Sequence, residues 1–268
     1  MFDKQYYFGI YHWRRRFRLI ATATFVLAVA IYFGSRTKLR RRRIASATVS
    51  LVAAVYEGRS LLRLVSPPPW CLERYKYDAL AARLPLDRAN RVLDVGCGTG
   101  RSLVGVAPHI PNGSDGPDVI AVDVFDDRII LGNGPRLARR NAGRAGLAVE
   151  PVVGDAAKLP LRDGAADVVT ACRVLHDLPT PAVDEALREL RRVCASDGTL
   201  GVLALPILPD GVETDYDADL DPESYWVERV SDAAFAVEAV ERLERGDGTE
   251  PYVIIVAAPS ASSTPLLD

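Results

Sequence analysis

Three glycines at alternate positions, Gly96, Gly98 and Gly100, break the stretch VLDVGCGTG just after an acid, Asp94. Two more acids end or follow apolar runs, Asp123 in VIAVDV and Asp155 in VVGDAAKLP. Glycine lets a backbone turn tightly and approach a bound molecule with no side chain in the way. Ionised carboxylates only accept hydrogen bonds, so they suit paired hydroxyls or an amine. Two familiar phosphate-binding loops do not fit. The dinucleotide pattern G-x-G-x-x-G would need glycine at position 101, which is arginine, and no G-K-[ST] follows for a triphosphate loop. Cys71, Cys97, Cys172 and Cys194 form no C-x-x-C pair, so neither a metal site nor a disulfide framework is expected, in keeping with a reducing compartment.

Such residues need a scaffold that brings loop and acids to one edge. RVLDVGC is a continuous, β-branched run suited to a buried strand, and RSLVGVAP after it has helical character. VIAVDV, AVEPVVGDA and AADVVTACRVL predict further strands, with a helix over GPRLARRNAGRAGL. PAVDEALRELRRVC is amphipathic, with Val183, Ala186, Leu187, Leu190 and Val193 on one face. SDGTLGVLALP turns into another strand, and AVEAVERLERGD with PYVIIVAAP closes the sheet. Strands alternating with helices predict an α/β fold, a doubly wound and mostly parallel seven-stranded sheet whose ligands sit at the carboxyl ends of the strands.

VLDVGCGTG resembles motif I of the class I S-adenosylmethionine-dependent methyltransferases, of the type 11-like kind, and the resemblance continues over about residues 70–258. It implies S-adenosylmethionine (SAM) as cofactor. Asp94, Gly96, Cys97, Gly98 and Gly100 would lie by the methionine and ribose part, and Asp123 with Val124 by the ribose hydroxyls. Asp155 and Ala156 would lie by the adenine, with Arg173 contributing after the fourth strand. The loop FDDRIILGNG after Asp123 is longer than the common version. CRVLHDLPT falls where the family faces its acceptor, which makes His176 a candidate general base with Asp177 as partner. The plainer reading of His176, a strand-end cap or passive wall, stands beside it. The Asn-Pro-Pro-aromatic motif of many amino-group methyltransferases is absent.

The first 90 of the 268 residues carry 17 Lys and Arg against 5 Asp and Glu, whereas the remainder carries 16 against 30. A basic arm on an acidic body points to an anionic surface. Leu19–Gly34 is a 16-residue uncharged run between arginine clusters, with Trp13 and Tyr32 near its ends. As a helix it would span about 24 Å, against ~30 Å of hydrocarbon. A second run, Ile44–Tyr56, predicts a short membrane segment or an interfacial helix. The arginines of residues 36–43 press against apolar sequence without interleaved aromatics, so lipid headgroups rather than nucleic acid are the expected partner. Both flanks are basic, and the positive-inside rule does not choose an orientation.

The expected organisation is a membrane-anchoring arm over 1–66, with helices at about 18–34 and 44–65, and lipid contact through 14–65. A SAM-dependent methyltransferase domain over 67–258 and a disordered tail over 259–268 follow, with SPPPW (66–70) as hinge. Leu208–Trp226 is expected as a solvated acidic loop, and the aromatics Tyr75 and Tyr77 as packing or part of an acceptor lid. The leading functional expectation is a membrane-associated methyltransferase, its domain facing the cytoplasm, acting on a lipid-soluble acceptor such as a quinone or isoprenoid. A soluble small molecule or a protein as acceptor, or a tethered SAM-binding module without catalysis, are the alternatives.

Overall fold

The computed structural model describes residues 6–65, 74–111, 116–205, 221–244 and 251–260. In chain order its elements are β1 (Ile10–Tyr11), α1 (Trp13–Arg36), α2 (Arg40–Val65), α3 (Tyr75–Ala81), β2 (Arg91–Val95), α4 (Arg101–Val106) and β3 (Asp118–Asp123). Then follow β4 (Ile130–Leu131), α5 (Pro135–Arg144), β5 (Glu150–Val153), β6 (Ala166–Cys172) and α6 (Thr180–Val193). The last are β7 (Cys194–Ala204), α7 (Pro222–Asp232), β8 (Phe235–Leu243) and β9 (Tyr252–Pro259). They form two compact units. One is Met1–Phe8, Trp70–Phe125 and Asn133–Asp268; the other is Gly9–Pro69 with Asp126–Gly132.

The larger unit is a seven-stranded sheet in the order β5-β3-β2-β6-β7-β9-β8. Its first five strands run parallel, and β9 is antiparallel to both β7 and β8. The chain leaves β2 for β3 on one side and later returns to β6 on the other, so the switch point lies at the carboxyl end of β2, where open α/β sheets bind ligands. Alternation along the strands feeds two cores. Leu93 and Val95 pack with α6 and α7, while Val92 packs with Leu80, Leu103 and Ala138 of α3, α4 and α5. The expected apolar face of α6 is buried throughout. A methyl on Gly105 would come within 2.3 Å of Tyr77 Cβ, which shows how closely α3 approaches α4 and places Tyr77 in packing.

The smaller unit is an antiparallel helical hairpin plus a two-residue ladder pairing Ile10 with Leu131 and Tyr11 with Ile130. The expected helices are longer than their apolar runs, because the flanking arginines are themselves good helix formers. Small residues face inward: Ala23, Ala30 and Ala53 are buried, and Ser46 Oγ donates to Ala30 O. Thr24 Oγ1 donates to Glu57 Oε1 at 2.8 Å. Large apolar side chains face outward instead, with Phe25 at 69%, Phe33 at 64% and Leu51 at 66% exposure. Helix α1 is long and apolar enough to cross a membrane; α2 does not pass the same test.

Two expectations on organisation are changed by the structure. Tyr6–Phe8, expected in the arm, belong to the larger unit. The end of the acidic stretch is not a solvated loop: Asp221 caps α7 by accepting the Ser224 N–H at 3.1 Å, and Trp226 is fully buried with its Nε1–H on Leu205 O. Residues 206–220, the SPPPW hinge, Cys71 and the tail beyond residue 260 lie outside the described residues. Leu187 is at the centre of the α6 core contact, so Leu187→Ala in the full chain is expected to lower stability by about 2–5 kcal/mol. Urea denaturation followed by circular dichroism checks this, with an unchanged midpoint as the contrary result.

Candidate functional site

The glycine loop hangs from the end of β3. The N–H groups of Gly96 and Cys97 both donate to Val122 O, at 2.8 and 3.2 Å. One residue on, Gly98 N–H donates to Asp123 Oδ2 at 2.8 Å, while Phe125 N–H donates to Asp123 Oδ1 at 2.6 Å. Two of the glycines are required by this path. Gly96 has φ +75°, and a Cβ there would lie 2.4 Å from Val174 Cβ; Gly100 has φ +84° and would press 3.1 Å from Ala138 O. Beside Gly98 the space is open: a Cβ at that position would meet nothing nearer than Asp123 Oδ2 at 4.0 Å. The space on this side of Gly98 thus opens beside the Asp123 carboxylate.

Asp94 is buried under the loop. Its register partner in β6 is Thr170, whose Oγ1 donates to Oδ1 at 2.7 Å, and Ser102 Oγ of α4 donates to Oδ2 at 2.5 Å. Burial pushes its carboxyl up to about 6, against the pull of the two hydroxyls, and the Asp123 charge adds to the rise. Because the folded value is raised, ionising Asp94 opposes folding: stability from this group is complete below the usual carboxylate range and is lost as pH rises through about 6. Ser102 and Thr170 carry no signal in the sequence alone, since their roles depend on strand order and on the seat of α4.

The other expected residues spread along the same sheet edge. Val124 is exposed beside Asp123. Asp155 follows β5, exposed, its Oδ1 accepting the Ala157 N–H at 3.0 Å; Ala156 next to it is buried. Cys97 is buried, and burial pushes its thiol well up, so it is a neutral wall and no nucleophile. Arg173 leaves β6 with φ +60° and donates its N–H to Leu203 O at 2.7 Å.

His176 sits in a short 3-10 turn after β6, only 1% exposed. Its Nδ1 accepts the Leu205 N–H at 3.2 Å, and this hydrogen bond assigns the ring proton to Nε2. Burial, then the Arg173 charge, pushes its pKa down to about 3. A neutral ring with Nδ1 occupied and Nε2 protonated has no lone pair to take a proton, so the general-base role expected of it does not fit this geometry. Asp177 Oδ1 lies 3.8 Å from Nε2 on a half-exposed side chain. No cluster of metal ligands occurs among the described residues.

A sheet of this order, with a glycine loop at the switch point and acids closing successive strands, defines the class I methyltransferase fold. Residues 93–202 match the model of a methyltransferase domain family. A malonyl-[acyl-carrier protein] O-methyltransferase of Geobacter sulfurreducens is 37% identical over 121 residues, 45% of this chain and 39% of that protein. A demethylmenaquinone methyltransferase of Thermus thermophilus is 34% identical over 132 residues, 49% of this chain and 54% of that one. The chain thus spans about half or less of these relatives. In fold, a SAM-dependent methyltransferase of Aquifex aeolicus superimposes with a TM-score of 0.52 at 22% identity, covering 74% of this chain and 96% of that one. The stretch over residues 93–202, within the larger unit, is thus a methyltransferase domain of the SAM-dependent kind.

The state of Asp94 makes a prediction. If its ionised carboxylate meets the ammonium of SAM, affinity rises with pH through about 6 and levels off above it, at about tenfold per unit below. Equilibrium dialysis from acid to neutral pH checks this. Asp94→Asn is expected to bind weakly and without that slope; an unchanged slope in the variant would exclude Asp94 as its source.

Proposed function

We propose that this chain is a membrane-associated methyltransferase that methylates a lipid-soluble acceptor of the quinone or isoprenoid kind. The observation that carries the reading is the inverted polarity of the hairpin in a chain that also carries a methyltransferase domain. In water, large apolar side chains turn inward; here Ala23, Ala30 and Ala53 are inside and Phe25, Phe33 and Leu51 outside. Small residues at a helix contact and a Thr–Glu hydrogen bond across it are the packing used where lipid surrounds the helices. The arginines at both ends of the helices then meet headgroups. The relative from Thermus thermophilus bears a name that places its own reaction on demethylmenaquinone, which favours a lipid-soluble acceptor here. In this reading the domain faces the cytoplasm.

Bound SAM supplies a methyl group on a positively charged sulfur, a leaving group that needs no further activation. The protein's work is placement. Asp123 with Val124 would hold the ribose hydroxyls, Asp94 the amine end, Gly96–Gly100 would let the backbone approach, and Asp155 and Ala156 would flank the adenine. Arg173 closes the loop side. His176, neutral, buried and held by the Leu205 amide on Nδ1, lines the acceptor side as a passive wall rather than acting as a base.

Full-length protein in its own membranes, given methyl-labelled SAM, is expected to place label in the extracted lipids, and Asp123→Ala to abolish it. Label confined to protein or to water-soluble metabolites would contradict the lipid acceptor, and no label with SAM bound would contradict catalysis.

A further inference from the structure

We infer that Asn141 is a positioning residue that clamps the glycine loop to the backbone of Tyr7, so that the segment preceding the membrane arm is a working part of the cofactor site. The inference rests on the reading of that loop as the SAM site.

Asn141 lies on α5 and is fully buried. Its amide nitrogen donates to Thr99 O at 2.8 Å and to Tyr7 O at 2.8 Å, and its Oδ1 accepts the Tyr7 N–H at 3.4 Å. An asparagine amide has two N–H donors, and both are used. Toward Tyr7 it offers one donor and one acceptor, the pair that a neighbouring strand would offer. Toward the loop it holds the carbonyl of the residue between Gly98 and Gly100. Asp123 secures the loop from β3 through Gly98, so Asn141 supplies a second anchor from α5 one residue further on.

The contacts around Tyr7 fix the same segment. The Arg101 guanidinium, on the first residue of α4, lies over the Phe8 ring at 4.9 Å, and Tyr6 stacks on Phe8 at 5.9 Å between centroids. Tyr6, Phe8 and Phe125 pack against the core cluster that contains Cys97 and Ala138. The Tyr7 side chain itself is 46% exposed, so its backbone rather than its ring is what the site uses. Buried donors and acceptors that lose partners are costly, and a loop held at one point where it was held at two loses preorganisation for its ligand. Since chemistry at the methyl group involves none of these atoms, the loss falls on SAM binding.

The test uses two substitutions at one exposed position of the full chain. Tyr7→Ala keeps the backbone N–H and controls for loss of the ring, so its KM for SAM is expected to stay well below that of Tyr7→Pro. Tyr7→Pro removes that N–H and fixes φ; it is expected to raise the KM for SAM about tenfold with kcat at saturating SAM within about threefold, the scale of one lost hydrogen bond. Asn141→Asp, which keeps the acceptor and loses both donors, is expected to act in the same direction, with the thermal midpoint measured alongside. Wild-type SAM binding with an unchanged KM in Tyr7→Pro would overturn the clamp while leaving the SAM site intact. Equal losses in Tyr7→Ala and Tyr7→Pro would overturn it as well, because the ring would then be the operative group. Absence of SAM binding by the wild type would overturn the site reading itself.

Discussion

The Asp123 carboxylate holds the site together. One oxygen takes the Gly98 amide and the other the Phe125 amide, so a single side chain joins the turn after β2 to the turn after β3. That bracket forms because the backbone passes through Gly96 and Gly100 in conformations that residues with side chains rarely adopt. With the loop pinned, Asp94 lies beneath it, and hydroxyls from two different elements donate to its two oxygens. Each requirement depends on the one before it. Strand order sets the register of Asp94 with Thr170, the glycines admit the turn, and the turn delivers an amide to Asp123.

The same economy reaches into the chain path. Residues 126–132 leave the methyltransferase domain just after this bracket and belong to the hairpin's unit, where β4 pairs with β1. Tyr6–Phe8 do the reverse, staying with the domain while the residues after them form the hairpin. The chain therefore passes from one unit to the other just after Tyr6–Phe8 and again just after Asp123–Phe125.

Much of the fold was legible because its signals are local. The continuous apolar runs of β2, β3 and β6 announce buried strands, the face of α6 repeats at helical spacing, and the acids sit at the strand ends where a parallel sheet presents its ligands. What stayed hidden depends on contacts distant in sequence. Asn141 meets Tyr7 across 134 positions, and no periodicity marks a buried asparagine on a helix of arginines. His176 looks like a base by residue type; the Leu205 amide and the surrounding burial decide otherwise. The helix α7 is obscured by its acidic, proline-containing approach, although Trp226 and Val230 four residues apart mark its inner face.

The account depends on SAM occupying the open space beside Gly98 and Asp123. Equilibrium dialysis of labelled SAM against the full-length protein tests this most directly, with Asp123→Ala in parallel. Saturable binding of about one SAM per chain, weakened at least tenfold in the variant, is the predicted result, since the variant removes the acceptor of charge-assisted hydrogen bonds. Equal affinity in the two proteins, or no saturable binding by the wild type, would contradict it.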